Sequence, residues 1–291
     1  MTHPGRSLAF ATLALGLLVA APLARAATAS ADEADVRSVI DRAGLLADPF
    51  AHTAAAGTFG ELHVRQSLQP LGSDLSIAWG APGRDGRPQE ATVQIRGWLG
   101  GALEIRHRDE RGRDQLVTKA LRDSCARQVV LRRFATPDDP EAKRWRVSAV
   151  SALVLLTPNA RATLPLVDLD THVTSAGFLS TQSDLEQLQV VPQTCAISAP
   201  GDSVRVFVAG VEPGTRVCVF ADGQSVAASS RDGSHFEARV SLQGGGLRHI
   251  GVTVYTQRTL TDASAPADTR TWVLPILVGS PPPVQQDWFS L

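Results

Sequence analysis

RQVVLRRFATPDDPEAKRWRVSAVSAL, residues 127–153, holds two apolar and arginine-rich runs around a Thr-Pro-Asp-Asp-Pro break. Proline and aspartate punctuate a chain where it turns, so Arg127–Phe134 and Lys143–Leu156 are expected as two strands of a hairpin. Upstream, Thr92–Trp98, Ala102–Arg108 and Gln115–Leu121 have the same two-residue period, and Asp109–Gly112 is a second turn. Leu103, Ile105 and His107 share one face of their strand, while Glu104, Arg106 and Arg108 share the other. Ahead of these strands lies a Gly- and Pro-rich loop, Pro82–Gln89, and before that the period changes again. Glu33–Leu46 places Val36, Val39, Ile40 and Leu46 on one side at helical spacing, with Asp32 as its cap. A second helical stretch is expected over Phe50–Leu68. Helices first and an antiparallel sheet afterwards define an α+β unit over residues 32–157, with helices packed on one sheet face.

Downstream, residues 158–194 form a linker in which ATLPLVDLDTHV reads as another strand of either unit and Ser180–Leu188 as a short helical run. From 195 to 279 short apolar runs recur between turn signals such as Asp222-Gly223, Asp232-Gly233 and Gly244–Gly246. Val204, Val206 and Val208 share a face, as do Val217 and Val219, and as do Phe236, Ala238, Val240 and Leu242. This pattern is that of an all-β sandwich. The tail, 280–291, is proline-stiffened and ends in Trp288 and Phe289, either a disordered end or a docking peptide for a partner.

Residues 1–26 have the form of a secretory signal: one arginine, an apolar run from Leu8 to Val19, and Ala24-Arg25-Ala26 as a cleavage pattern. A periplasmic or secreted protein is expected, with no membrane span after cleavage, because Val150–Leu156 is far shorter than the roughly 20 residues a spanning helix needs. The net charge of −1 argues against a general nucleic-acid or membrane-surface binder. The basic residues number 28, and only Lys119 and Lys143 are lysines. Of Cys125, Cys195 and Cys218, the last two fall in one expected unit and are the disulfide candidates, the alternative being three buried thiols. The absence of C-x-x-C, H-E-x-x-H and acidic calcium-loop patterns leaves no metal or other cofactor implied, and His52 and His63 stand too far apart for adjacent-turn ligands.

Two family resemblances bear on the fold. VEPGTRVCVFADGQ, SRDGSHFEARVSL and GGGLRHIGVTVYT, in that order, resemble the immunoglobulin-like domains of secreted bacterial proteins, which implies a spacer, adhesive or binding module and no catalytic residues. The Cys-Trp-Cys spacing of antibody domains is missing, since Trp272 follows both cysteines. RQVVLRRFATPDDPEAKRWRVSAVSAL resembles the last hairpin of an NTF2-like domain, which implies a cone with a pocket. Isomerases of that family use a tyrosine with carboxylic acids, whereas the only tyrosine here is Tyr255, in the other unit.

SSRDGSHFEARVSL, residues 229–242, brings a serine, an aspartate and a histidine close together, but triads are assembled from distant segments, and Asp-Gly favours a hairpin turn. The arginines from Arg96 to Arg146 are interleaved with Glu104, Asp109, Asp114 and Asp123. They form either a solvated face or an anion-recognising one. Trp98, Arg106, His107 and Arg108 are the candidate ligand-binding residues, with His107 lining a core or pocket. A non-enzymatic envelope protein that binds a partner protein or a small apolar or anionic ligand is the preferred function. The alternatives are a periplasmic isomerase, dehydratase or hydrolase with His107 or a nearby acid as base, and an adhesin that pairs a sandwich edge with a partner strand.

Overall fold

The computed structural model describes residues 31–45, 55–109, 111–135, 143–158, 166–171, 178–182, 188–190, 196–230 and 232–279. A helix over 31–42, α1, precedes a chain that is almost all strand. The first strands are β1 (Ala55–Phe59), β2 (Leu62–Trp79), β3 (Glu90–Arg108), β4 (Asp114–Ala135), β5 (Lys143–Val150) and β6 (Leu153–Leu156). Between them and the C-terminal part lie β7 (Leu166–Thr171), β8 (Phe178–Gln182), β9 (Gln189–Val190) and β10 (Ala196–Ser198). The C-terminal part comprises β11 (Ser203–Ala209), β12 (Arg216–Ala221), β13 (Gln224–Ala227), β14 (Ser229–Ser230), β15 (Phe236–Ser241), β16 (Gly246–Tyr255) and β17 (Thr269–Val278), with a short helix α2 (Gln257–Thr261) before the last.

Two sheets result. Nine strands follow the path β1-β2-β3-β4-β6-β17-β16-β12-β13, with β5, β9 and β10 attached, to make a 12-stranded sheet. The smaller sheet has the order β14-β15-β11-β7-β8. In the larger one, β6 joins the two halves of the chain by pairing with β4 on one side and with β17 on the other, Leu155 standing opposite both Cys125 and Thr271. Its ends nearly meet. Ser225 on β13 accepts a hydrogen bond from Ala56 N–H at 2.8 Å through its hydroxyl and donates one to the Ala56 carbonyl at 2.6 Å. A side chain thus supplies the bonds that a ladder would make across that seam, and the sheet curls into a barrel.

Length explains the curl. At about 3.3 Å per residue, the 22 residues of β4 would reach about 70 Å if flat, and long strands twist instead. The odd-numbered residues of β3, the exposed Gly101 excepted, stay on the inner face. Ala91, Val93 and Ile95 pack with Val129, Leu131 and Trp145 against Val36, Val39 and Ile40 of α1. Leu99, Leu103 and Ile105 pack in the barrel with Val64, Leu121, Leu153, Tyr255 and Val273. Gly101 is required at the bend between these regions, because a Cβ there would meet the Ser67 carbonyl oxygen of β2.

The third core lies on the other side of β12, β16 and β17. Trp272, Leu274, Ile276 and Val278 face Val204, Val206, Val208, Phe236, Ala238 and Val240 of the smaller sheet, in the manner of a β-sandwich. All ten residues of β17 are buried. Its uninterrupted sequence, TRTWVLPILV, suits a strand covered on both faces. At about 25 cal/mol per Å², such a strand concentrates apolar burial more than any half-exposed one can.

The α+β expectation for residues 32–157 is overturned, because the described residues of this part form a strongly bent antiparallel sheet with one helix. The expected Glu33–Leu46 helix is present over 31–42, but Phe50–Leu68 contributes β1 and the start of β2 from its described residues. Val64, Gln66 and Leu68 point inward and His63, Arg65 and Ser67 outward, a period of two. Ala55 and Ala56 suit a helix by propensity, but pairing with Gln66 and Arg65 of β2 prevails. Asp32 lies inside α1 rather than capping it. There it is fully buried, accepts from Trp145 Nε1 at 3.1 Å and pairs with Arg87. The expected strand pairs Thr92–Trp98/Ala102–Arg108 and Gln115–Leu121/Arg127–Phe134 are each one continuous strand. Ser180–Gln182 is strand instead of helix, and 183–187 lie outside the described residues.

Candidate functional site

The tips of two neighbouring hairpins build an open cleft of about 810 Å³. The first tip turns at Gly60, whose φ of 66° lies in the left-handed region that glycine adopts freely. The second turns around Asp109, whose carboxylate accepts from the N–H groups of Arg111 and Arg113 at 2.9 Å each and from Arg113 Nε at 2.9 Å. Those bonds, the Arg113 and Arg111 backbone N–H groups among them, hold Asp109 below the usual carboxylate range. The turn is therefore stiffened by charge-assisted bonds.

Register then brings the outward side chains together. Arg106 stands between His63 of β2 and Leu116 of β4, Glu104 pairs with Arg65, and Arg108 stands opposite Asp114. Arg108 Nε lies 3.3 Å from Asp114, and His63 Nδ1 lies 2.9 Å from Thr58 Oγ1. The cleft lining includes Arg65, Arg106 and Arg108 against Glu61, Glu104 and Asp114, three charges of each sign. Such a surface complements a polar partner carrying both signs better than a simple anion.

Of the four ligand-binding residues expected from sequence, Arg106, His107 and Arg108 line this cleft. His107 follows Ile105 on the inner face, and its Nδ1 is buried with no hydrogen-bond partner among the described residues. Trp98 lies elsewhere, 49% exposed, with the Arg122 guanidinium 5.7 Å from its ring centre. Cys218 is a buried thiol in the barrel, pushed up to about 12 by burial. Cys195, Trp288 and Phe289 lie outside the described residues, as do residues 1–30 and His52.

The Ser-Asp-His cluster is an exposed turn. Asp232 Oδ1 accepts from Ser234 N–H at 2.9 Å and His235 N–H at 2.8 Å, and Oδ2 lies 2.7 Å from His235 Nδ1. Ser234 Oγ is 3.0 Å from that same Nδ1. In a working triad the carboxylate and the nucleophile use opposite ring nitrogens, so this geometry does not relay a proton between them.

The barrel interior holds an acid that the sequence placed on a solvated, arginine-rich face. Asp123 is fully buried on β4, both its oxygens lack a hydrogen-bond partner among the described residues, and desolvation pushes its pKa up to about 7. Its odd number, shared with Leu121, Cys125, Arg127 and Val129, is the signal that places it on the inner face. Two residues beyond Cys125, Arg127 is 2% exposed and donates to the Val273 carbonyl at 3.2 Å. Among the described residues no group of three or more His, Cys, Asp or Glu could hold a metal ion, and no helix is long and apolar enough to cross a membrane.

No family model matches the chain. A search of curated proteins likewise finds no similar sequence.

Proposed function

We propose that the protein is an exported, non-catalytic binding module that engages a polypeptide of the cell envelope through the cleft at the tips of β1–β4. The observation that carries this reading is the balanced set of three guanidiniums and three carboxylates in an open cleft of about 810 Å³. Paired charges of both signs select a partner by register and repel mismatched ones. Export is supported by the signal-like pattern of residues 1–26. A binding role is favoured over the enzyme alternative because its candidate base, His107, has a buried Nδ1 with no hydrogen-bond partner among the described residues to orient it.

Site-specific photo-crosslinking in the producing cells tests this. A photoreactive residue at Arg106 or Leu116 is expected to capture the same discrete polypeptide, while one at Arg239, which is exposed on β15, captures none. Equal capture at all three positions, or none at the first two, would contradict the proposal.

A further inference from the structure

The arginines expected to form an anion-recognising face on β3 and β4 are matched there by acids, but guanidiniums gather with little opposing charge elsewhere. A cleft of about 430 Å³ lies where the end of α1 meets β16, β17 and the β12–β13 turn. Arg42 from α1 and Arg248 and His249 from β16 line it, with Phe220, Leu247 and Val273 as its apolar wall. The Phe220 ring sits in the space that a Cβ on Gly251 would fill, so this glycine lets the aromatic lie flat on its neighbouring strand.

Polar contacts define the charge. Behind the lining, Arg127 Nη1 lies 3.4 Å from His249 Nε2. Arg248 Nε is buried with no hydrogen-bond partner among the described residues. Arg42 Nε donates to the Ser38 carbonyl of its own helix at 3.3 Å, which leaves its terminal amino groups for a ligand. The carboxylate that faces the cleft, Asp222, already accepts from Gln243 N–H at 2.6 Å. Arg127 from β4 and Arg248, which precedes His249 on β16, therefore stand close enough to act on the His249 ring, and Arg42 from α1 and Asp222 from the turn are the other charged residues of the cleft lining. Burial, then Arg127 and Arg248, hold its pKa well below the ordinary histidine value, so the ring is neutral and the surrounding field positive.

We infer that this cleft is an anion-binding site for a small molecule with a carboxylate or phosphate head and an apolar body, the head meeting Arg248 and Arg42 beside His249 and the body lying on Phe220, Leu247 and Val273. Guanidiniums bind such heads through paired N–H groups, and a volume of this order suits a small ligand. The site is separate from the β1–β4 cleft, so either can fail without the other.

The test uses the exported full chain, with octanoate as head plus body, inorganic phosphate as head alone and octanol as body alone. Octanoate is expected to bind, to raise the pKa of His249 as read from its ring proton shifts, and to be displaced by phosphate. Octanol is expected to leave the His249 titration unchanged. Arg248→Gln is expected to weaken octanoate about tenfold, the order of one lost charge-assisted contact. Arg42→Gln, on an exposed side chain where folding is not at stake, weakens it less, and Arg106→Gln in the other cleft leaves it unchanged. Octanoate that does not move His249, binding within twofold of the parent in both cleft variants, or octanol binding as tightly as octanoate would each overturn the assignment.

Discussion

Replacing Asp123 by Asn gives a stability change whose size and pH dependence both follow from the barrel interior. In the folded chain this carboxyl is fully buried and titrates at about 7, against 3.8 for the free side chain. The folded state therefore holds its proton more tightly than the unfolded state. Stability is full below about pH 4, falls as pH rises towards 7, and is flat beyond. Each tenfold difference in proton affinity between the two states is worth about 1.4 kcal/mol, so the loss amounts to about 4 kcal/mol at pH 8. Asparagine keeps the shape and cannot ionise, so the Asp123→Asn variant should match the parent near pH 4 and exceed it by about 4 kcal/mol at pH 8. Urea unfolding from pH 4 to pH 8, followed by tryptophan fluorescence, measures the difference. Parallel stability curves for parent and variant would refute the claim that Asp123 is buried without a compensating partner.

Ser225→Ala should cost about 1–3 kcal/mol by stripping both bonds from Ala56 at the barrel seam, and amide exchange at Ala56 should quicken with it. Gly101→Ala drives a Cβ into the Ser67 carbonyl and should lower stability by about 3 kcal/mol, whereas Gly100→Ala meets only the exposed Leu71 side chain and should cost under about 1 kcal/mol; paired thermal melts compare them. Asp32→Ala leaves Trp145 Nε1 and Arg87 without their shared acceptor, for a loss of about 3 kcal/mol in chemical unfolding.

Local pattern was legible in the sequence wherever alternation was uninterrupted. Val204–Val208, Val217–Val219 and Phe236–Leu242 alternate cleanly, and each lies in a strand, with Leu242 just past the end of β15, and sends those alternating residues into one core. Phe134 stands opposite Arg144 as the expected hairpin requires, but the expected strand Lys143–Leu156 is broken at Ser151–Ala152 into β5 and β6, both of which pair with β4. Misreadings arose where one residue type serves two purposes. Leu99, Gly100 and Gly101 fell between two expected strands, but they sit inside β3, where close approach of β2 leaves no room for a side chain at Gly101. The alanines around residue 55 obscured a strand whose partner supplies the pattern. The β1–β4 cleft was partly visible because Arg106, His107 and Arg108 are consecutive. The anion cleft was not, because Arg42, Asp222 and Arg248 meet only through the packing of α1 on the sheet. Asp123 and Arg127 were readable by parity alone, but a charged residue on an apolar face is easily assigned to solvent.

The fold depends on one joint, the pairing of β6 with β17 that links strands from the two halves of the chain into a single sheet. Cross-strand backbone NOEs in a deuterated sample of the full chain read that joint directly. Contacts between Val154 and Trp272 and between Leu155 and Thr271, together with those joining Cys125 to Leu155, are the predicted result. A spectrum that shows the β16–β17 contacts but none from β6 to β17 would contradict it.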